Sequence, residues 1–179
     1  MINGINSREM ILEILLEIEE GEHSHVAIRN ALSKYQFLPK QDRAFITRVC
    51  EGTLEYRIQI DYIINSFSKV TVDKMKPAIR EILRSAVYQL KYMDSVPDSA
   101  VCNEAVKLAQ RKGFYNLKPF VNGVLRTIAR EMDQVRFPQK EDDLLKYLSV
   151  KYSMPEVLVT RWLEAYGEET TEKILADFL

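Results

Sequence analysis

Residues 96–130 read VPDSAVCNEAVKLAQRKGFYNLKPFVNGVLRTIAR and predict two helices joined by a short turn. Pro97 is tolerated in the first turn of a helix. From Val101 onward, apolar residues recur at helical spacing until Gly113 ends the first helix. The second helix begins near Lys118–Pro119 and carries its apolar residues on one side: Phe120, Val121, Val124, Leu125, Ile128 and Met132.

Gly123 stands in the middle of the second predicted helix. Glycine inside a helix costs about 1 kcal/mol relative to alanine, so its presence needs a reason. We expect another helix backbone to come close at this point. The first helix offers small side chains that suit such a contact: Ala100, Ala105 and Ala109.

The outward face of this helical hairpin is basic. The second helix contributes four residues spaced by four positions: Lys118, Asn122, Arg126 and Arg130. The first helix and its exit turn add Lys107, Arg111 and Lys112. We call these seven residues the basic ridge. A cationic ridge suits phosphate groups, but a solvated helix face gives the same pattern, because Lys and Arg cover most helices of soluble proteins.

A second basic stripe is predicted on a helix that begins near Pro77 and runs to about Met93. One face of this helix is apolar, and the other offers residues at a spacing of four: Lys76, Arg80, Arg84 and Tyr88. Cations that alternate with an aromatic ring are typical of RNA-binding surfaces, since cations meet phosphates and a ring can stack an unpaired base. The alternative is that the arginines bridge acidic neighbours such as Glu81 or Asp73.

The composition favours an all-α protein with a hydrophobic core. The chain has 179 residues, of which 46% are hydrophobic and 28% charged, and it contains only six glycines and six prolines. Alternating β-branched patterns are scarce. No apolar run approaches the roughly 18–20 residues that span a bilayer, and no signal peptide precedes the first helix. We therefore expect a soluble, cytoplasmic protein without a membrane partner.

The charge is distributed unevenly along the chain, although its formal net value is only −1. Residues 61–130 hold 12 Lys and Arg against 6 Asp and Glu. The flanking parts are acidic, with 7 against 9 in residues 1–60 and 6 against 11 in residues 131–179. An anionic partner should therefore contact the middle of the chain.

The remaining segments also follow helical patterns. A first helix is expected from an N-cap at Ser7, with an acidic outer face, and residues 40–67 continue one helical pattern in which Gly52 is a bend or a close-packing point. Residues 138–179 predict three short amphipathic helices at about 141–149, 155–166 and 168–179. The last pattern is still apolar at the terminus, so we expect a fragment of a longer protein.

Recognisable catalytic chemistry is not found in this sequence. It contains no glycine-rich phosphate loop, no paired Cys or His at metal-ligand spacing, and no nucleophile motif. Cys50 and Cys102 lie singly within helical patterns, which is typical of buried, reduced thiols. We therefore assign no catalytic, cofactor-binding or metal residue, and we expect a binding module.

The segments VPDSAVCNEAVKLAQRKG and KPFVNGVLRTIAR resemble the signature of NusB-like RNA-binding domains, in which a VP…NEAV.LA…G helix precedes an FVNGVLR helix. The resemblance covers roughly residues 7–135, because further positions also match: Asp42–Arg43, Gly52, Asp61 and LRSAVYQL at 83–90. It implies an all-α, NusB-like helical bundle that binds RNA.

Two protein families contain this domain. A free-standing NusB antitermination factor would begin with an arginine-rich run and end soon after the FVNGVLR helix. Here residues 7–10 read SREM, and residues 154–169, MPEVLVTRWLEAYGEE, resemble the connector of the ribosomal RNA small subunit methyltransferase B family, although Val157 stands where a tryptophan is common. That family transfers a methyl group from S-adenosylmethionine to C5 of a cytosine in small-subunit rRNA, using a cysteine in a Pro-Cys setting that neither cysteine here matches.

The resemblance thus implies a NusB-like RNA-binding domain over residues 1–137 and a helical connector over residues 138–179. The connector would lead to a C-terminal methyltransferase domain, which would be the intramolecular partner and the site of S-adenosylmethionine. The RNA partner would be small-subunit rRNA. The alternatives are a free-standing antitermination factor or a protein-docking module, and the oligomeric state stays open. The predicted RNA contacts are Lys76, Arg80, Arg84, Lys107, Arg111, Lys112, Lys118, Asn122, Arg126 and Arg130.

Overall fold

Residues 6–179 are described by a computed structural model, and within this range the chain forms helices and turns without any strand. The predicted all-α fold is confirmed. Three short 3₁₀ turns occur at Val72–Lys74, Tyr115–Leu117 and Met132–Gln134. The helices are α1 (Ser7–Glu19), α2 (Ser24–Lys34), α3 (Lys40–Glu55), α4 (Arg57–Phe67), α5 (Pro77–Tyr92), α6 (Asp98–Arg111), α7 (Lys118–Glu131), α8 (Leu144–Tyr152) and α9 (Glu156–Asp177).

Helix α5 is the centre of a bundle made by the first seven helices. It packs against α1, α3, α4, α6 and α7, so side chains on nearly all of its faces are buried. The bundle has one continuous hydrophobic core, to which α6 and α7 contribute their apolar faces. The expected core residues are confirmed as buried: Leu83, Val87, Leu108, Val124 and Ile128.

The helical pattern of residues 40–67 is divided into α3 and α4 at Tyr56, where φ is −98° and ψ is 18°. The expected bend at Gly52 is therefore wrong, but the expected close packing there is confirmed. A Cβ atom on Gly52 would overlap the ring of Tyr88. The break itself is stabilised by aromatic stacking, because the rings of Tyr56 and Tyr92 lie 4.4 Å apart between centroids.

Two local expectations are corrected by the structure. The N-cap of α1 is Asn6 rather than Ser7, because the Asn6 side chain accepts hydrogen bonds from the backbone N–H groups of Arg8 and Glu9. The expected helix contact at Gly123 is also wrong. Gly123 is exposed, and no heavy atom outside its own helix backbone lies within 4 Å of the place where a Cβ would stand. The fold therefore gives no packing reason for glycine at this position.

Residues 138–179 build a second, smaller hydrophobic cluster around Leu148, Val159 and Leu175. The three expected helical stretches are present. Helix α8 is the first, and Gly167, where φ is +76° and ψ is 174°, divides α9 into the other two. Only glycine adopts such angles at low cost. Along the sequence, the residues of the first cluster end at Phe137 and those of the second begin at Leu144. The sequence predicts the boundary between domain and connector at this point.

The second cluster is joined to the bundle at the start of α4. Ser153, left-handed with φ of +50°, follows α8 and accepts hydrogen bonds from the backbone N–H groups of Ile58 and Gln59, at 3.1 and 3.4 Å. These are two of the first-turn donors that a helix cannot satisfy internally. Ser153 therefore caps α4 from outside the bundle, and the Tyr62 hydroxyl adds a 2.6 Å hydrogen bond to the carbonyl of Arg136.

Across residues 6–179, every helix is either too short or too polar to cross a membrane.

Truncating Leu125 to alanine should lower the free energy of unfolding by about 2–5 kcal/mol, because its side chain is fully buried in the bundle core. Urea unfolding followed by circular dichroism measures this change. Val70→Ala is the matched control, since Val70 is exposed and should cost much less. Equal losses in the two variants would contradict the packing described for α7.

Candidate nucleic-acid interface

The turn between α6 and α7 holds the two halves of the basic ridge in a fixed hairpin. Gly113 takes a left-handed φ of +85° after α6, and its N–H donates to the carbonyl of Gln110 at 3.1 Å. The next N–H, of Phe114, donates to the carbonyl of Ala109 at 2.9 Å. These two bonds form the usual left-handed helix end, which here directs the chain back into α7.

Arg126 lies at the middle of the ridge, held between two neutral amide oxygens. Its Nη2 donates to Oδ1 of Asn103 at 2.8 Å, and its Nε donates to Oδ1 of Asn122 at 3.2 Å. Because neither partner is a carboxylate, nothing nearby in this pair of contacts neutralises the guanidinium, while its position is restricted. Asn103 was missed as a site residue, although it lies four residues before Lys107 within the NEAV motif.

The α7 half of the ridge is not compensated by carboxylates. Lys118 donates to the neutral Oε1 of Gln110 at 2.9 Å, and Arg130 is exposed. Among residues 6–179, no carboxylate forms an ion pair with Lys118, Arg126 or Arg130. Arg126 and Arg130 are exposed and Lys118 is half-buried, so α7 carries three cations without carboxylate partners. They are separated by multiples of four residues, and each four-residue step is about 6 Å along the helix axis.

The α6 half of the ridge is neutralised by acidic side chains. Lys107 pairs with Glu104 at 3.2 Å on the same helix. Helix α1 supplies the other two carboxylates: Glu9 lies 3.6 Å from Arg111, and Glu13 pairs with Lys112. Lys118 and Arg126 of α7 contact α6, whereas the ridge residues at the end of α6 pair with α1. Only the α7 half of the basic ridge therefore presents cations without a carboxylate partner among the described residues.

The second predicted stripe, on α5, is not a surface feature, and this corrects the RNA contacts expected from it. Arg84 is only 9% exposed and donates to both oxygens of Asp61, at 2.7 and 2.8 Å, and to Glu81 at 2.7 Å. Arg80 pairs with Glu19 and donates to two backbone carbonyls. Tyr88 is buried, so only Lys76 lies at the surface. The physical reason is that α5 has neighbours on both faces.

Burial and pairing change the ionisation of the α5 network. Burial raises the pKa of Glu81; the charge and hydrogen bond of Arg84 offset this only in part, and repulsion from Asp61 raises the pKa further. Burial alone would lower the pKa of Arg84, but hydrogen bonds and charge from Asp61 and Glu81 raise it. Arg84 is therefore a permanently charged link between α4 and α5 and has no free donor face for a phosphate.

The two cysteines are free thiols buried in the bundle. Burial raises the pKa of both the Cys50 and the Cys102 thiol. A nucleophilic cysteine requires an accessible thiolate, which these environments disfavour. The expected buried, reduced thiols are confirmed.

Replacing Arg84 with alanine should destabilise the bundle by about 3 kcal/mol, because two carboxylates would be left without their shared cation. Lys76→Ala, at the exposed start of the same helix, is the matched control and should change stability by less than about 0.5 kcal/mol. Urea unfolding of both variants tests this difference. An Arg84→Ala variant as stable as the parent would mean that the network contributes nothing.

Comparison with known proteins places these features in context. The sequence model of the NusB family matches residues 5–130. A probable ribosomal RNA small subunit methyltransferase B from Bacillus subtilis is 35% identical over 167 residues, which are 93% of this chain and 37% of that protein. The transcription antitermination protein NusB of Dictyoglomus thermophilum is 33% identical over 130 residues, which are 72% of this chain and 85% of that protein.

Solved structures show the same fold. Antitermination factor NusB, in its complex with NusE and double-stranded RNA, superposes with a TM-score of 0.64 at 21% identity, covering 69% of this chain and 93% of that one. The crystal structure of PH0851 superposes with a TM-score of 0.74 at 21% identity, covering 97% of this chain and 38% of that one. The second comparison therefore includes α8 and α9 as well as the bundle.

Proposed function

This chain belongs to the NusB family, and on that premise we propose that its basic ridge binds small-subunit rRNA as a non-catalytic part of a longer, cytoplasmic rRNA methyltransferase. The observation that carries the proposal is the uncompensated charge on α7. Lys118, Arg126 and Arg130 have no carboxylate partner within the described chain, whereas the ridge residues on α6 and its exit turn do. Cations left free along one helix face attract phosphates without reading sequence.

The exposed Gly123 supports a ligand on the same helix. It lies one position after Asn122 and three before Arg126, and no internal contact requires a glycine there. Glycine on a helix surface leaves room for a ligand to approach the backbone closely. The missing side chain thus removes an obstacle beside the cations.

The methyltransferase assignment is supported by the extent of sequence similarity. Similarity to the methyltransferase of Bacillus subtilis spans 93% of this chain, whereas similarity to the NusB of Dictyoglomus thermophilum spans 72%. The first alignment therefore includes much of residues 138–179, which a free-standing antitermination factor lacks. The chain spans less than two fifths of the methyltransferase relatives' length, so the methyl transfer itself is assigned to the remainder of such a protein.

Residues 6–179 do not fit a methyl-transfer site of their own. Neither buried cysteine can serve as the nucleophile, so we assign S-adenosylmethionine to a C-terminal methyltransferase domain. The surface of α9 suits contact with that domain, because Val157 and Tyr166 are exposed on it. Just after the helix, the exposed Phe178 stacks on the half-buried Trp162, with 5.7 Å between the ring centroids. Apolar exposure favours protein docking at α9, as uncompensated charge favours RNA at α7.

Reversing two charges on the ridge, Arg126→Glu with Arg130→Glu, should weaken RNA binding strongly at low salt and by a similar factor for unrelated sequences. Fluorescence anisotropy with a short labelled oligouridylate and a mixed-sequence RNA of the same length measures this. If about four phosphates are neutralised, log affinity of the parent chain should fall against log salt with a slope near −3.

The matched control is Arg29→Glu with Lys34→Glu, which changes the net charge equally on α2, a helix that packs on α1 and α3. This variant should bind RNA nearly as well as the parent. Equal binding by both double variants would show that the ridge is only a solvated surface, and protein docking would then become the better assignment.

Replacing Gly123 with alanine should separate stability from binding. The free energy of unfolding should rise by up to about 1 kcal/mol, because alanine favours the helix and meets no neighbouring atom. The variant should therefore unfold at a higher urea concentration than the parent. It should nevertheless bind the oligouridylate more weakly, since the added methyl group occupies the ligand's approach. Ser33→Ala, exposed on α2, controls for helix stabilisation without a binding effect. If Gly123→Ala bound the oligouridylate as tightly as the parent, the result would contradict an RNA contact at the centre of α7.

A further inference from the structure

Tyr115 is the most exposed residue among the large hydrophobic side chains of the bundle, with 64% of its surface accessible. Its neighbours in the α6–α7 turn behave differently, because Phe114 and Leu117 pack against the bundle core. The buried neighbours gain hydrophobic free energy by packing, whereas the exposed Tyr115 ring does not. Packing gives no reason for a tyrosine at this position.

The turn that carries Tyr115 is anchored on both sides. The N–H of Phe114 donates to Ala109 before it, and the N–H of Leu117 donates to the carbonyl of Phe114 at 3.0 Å after it. Tyr115 itself begins a short 3₁₀ turn that leads directly into α7. The ring is thus presented by ordered backbone, which lowers the entropy that a ligand would have to remove on binding.

Lys118 occupies one side of the Tyr115 ring. Its Nζ lies 4.6 Å from the ring centroid, and the hydrogen bond to Oε1 of Gln110 holds it there. A cation over an aromatic face is attracted by the ring quadrupole. Since 64% of Tyr115 is accessible with Lys118 in this position, ring surface remains for a second contact. Lys118 is also the first cation of the α7 half of the ridge, so this ring surface lies at the end of the proposed phosphate path.

We propose that Tyr115 is a stacking platform for one unpaired nucleobase, with Lys118 placed to contact a phosphate of the same strand. This inference rests on the proposed RNA binding of the ridge. It adds a subsite that selects unpaired bases over paired ones, without selecting a particular sequence. Every base has a π-face, so the subsite accepts any base. A base held within a duplex is stacked on its neighbours and cannot reach the ring.

The test compares single-stranded with double-stranded RNA in the 179-residue chain. Tyr115→Ala should weaken binding of the labelled oligouridylate by about fivefold or more, while binding of a blunt RNA duplex of equal length stays unchanged. Tyr115→Phe keeps the ring and should retain the single-strand affinity. With 2-aminopurine in the strand, quenching on binding should occur with the parent and Tyr115→Phe but be lost with Tyr115→Ala. Tyr166→Ala, at a tyrosine 58% exposed on α9, is the matched control.

The possible results distinguish this inference from the proposed function. If Tyr115→Ala binds the single strand like the parent while the Arg126 and Arg130 double variant is weakened, the platform is overturned and the ridge stands. If neither variant changes RNA binding, both are overturned. Equal losses for single strand and duplex in Tyr115→Ala would also overturn stacking, because they would indicate contact with the backbone. Circular dichroism confirms that each exposed-site variant is folded.

Discussion

The burial of α5 on nearly all of its faces is the constraint on which the rest of the fold depends. A helix surrounded by α1, α3, α4, α6 and α7 must satisfy its polar side chains internally. Arg84 does so with three hydrogen bonds to Asp61 and Glu81, which tie α5 to α4. The hairpin of α6 and α7 then packs its apolar side on the bundle and leaves its polar side to solvent, which creates the ridge.

The ridge is electrostatically asymmetric because of a helix that is distant in sequence. Glu9 and Glu13 of α1 pair with Arg111 and Lys112 and cancel the charge at the C-terminal end of α6. Along α7 the hydrogen-bond partners of Lys118 and Arg126 are neutral amides. An RNA strand would therefore be drawn to α7 rather than to α6; Gly123 leaves space within α7, and Tyr115 offers an aromatic face in the turn before it.

The connection between the bundle and residues 138–179 is also specific. Ser153 satisfies two backbone donors at the start of α4, and α4 in turn packs against α7. The helix that receives this cap thus contacts the helix that carries the free cations.

The sequence by itself determined the helical fold, the hairpin, the buried set and the family, because 3.6-residue periodicity and local stop signals are properties of neighbouring residues. For Gly52 it left two alternatives, a bend or close packing, of which the structure confirms close packing. Only the tertiary structure decided which cations are free. Arg84 and Arg126 look alike in sequence, because each belongs to a row of basic residues spaced four positions apart. Arg84 faces Asp61, which lies 23 residues away, whereas Arg126 faces Asn103, and no local pattern records which helices meet. For the same reason Gly123, expected against another helix, proved to face solvent.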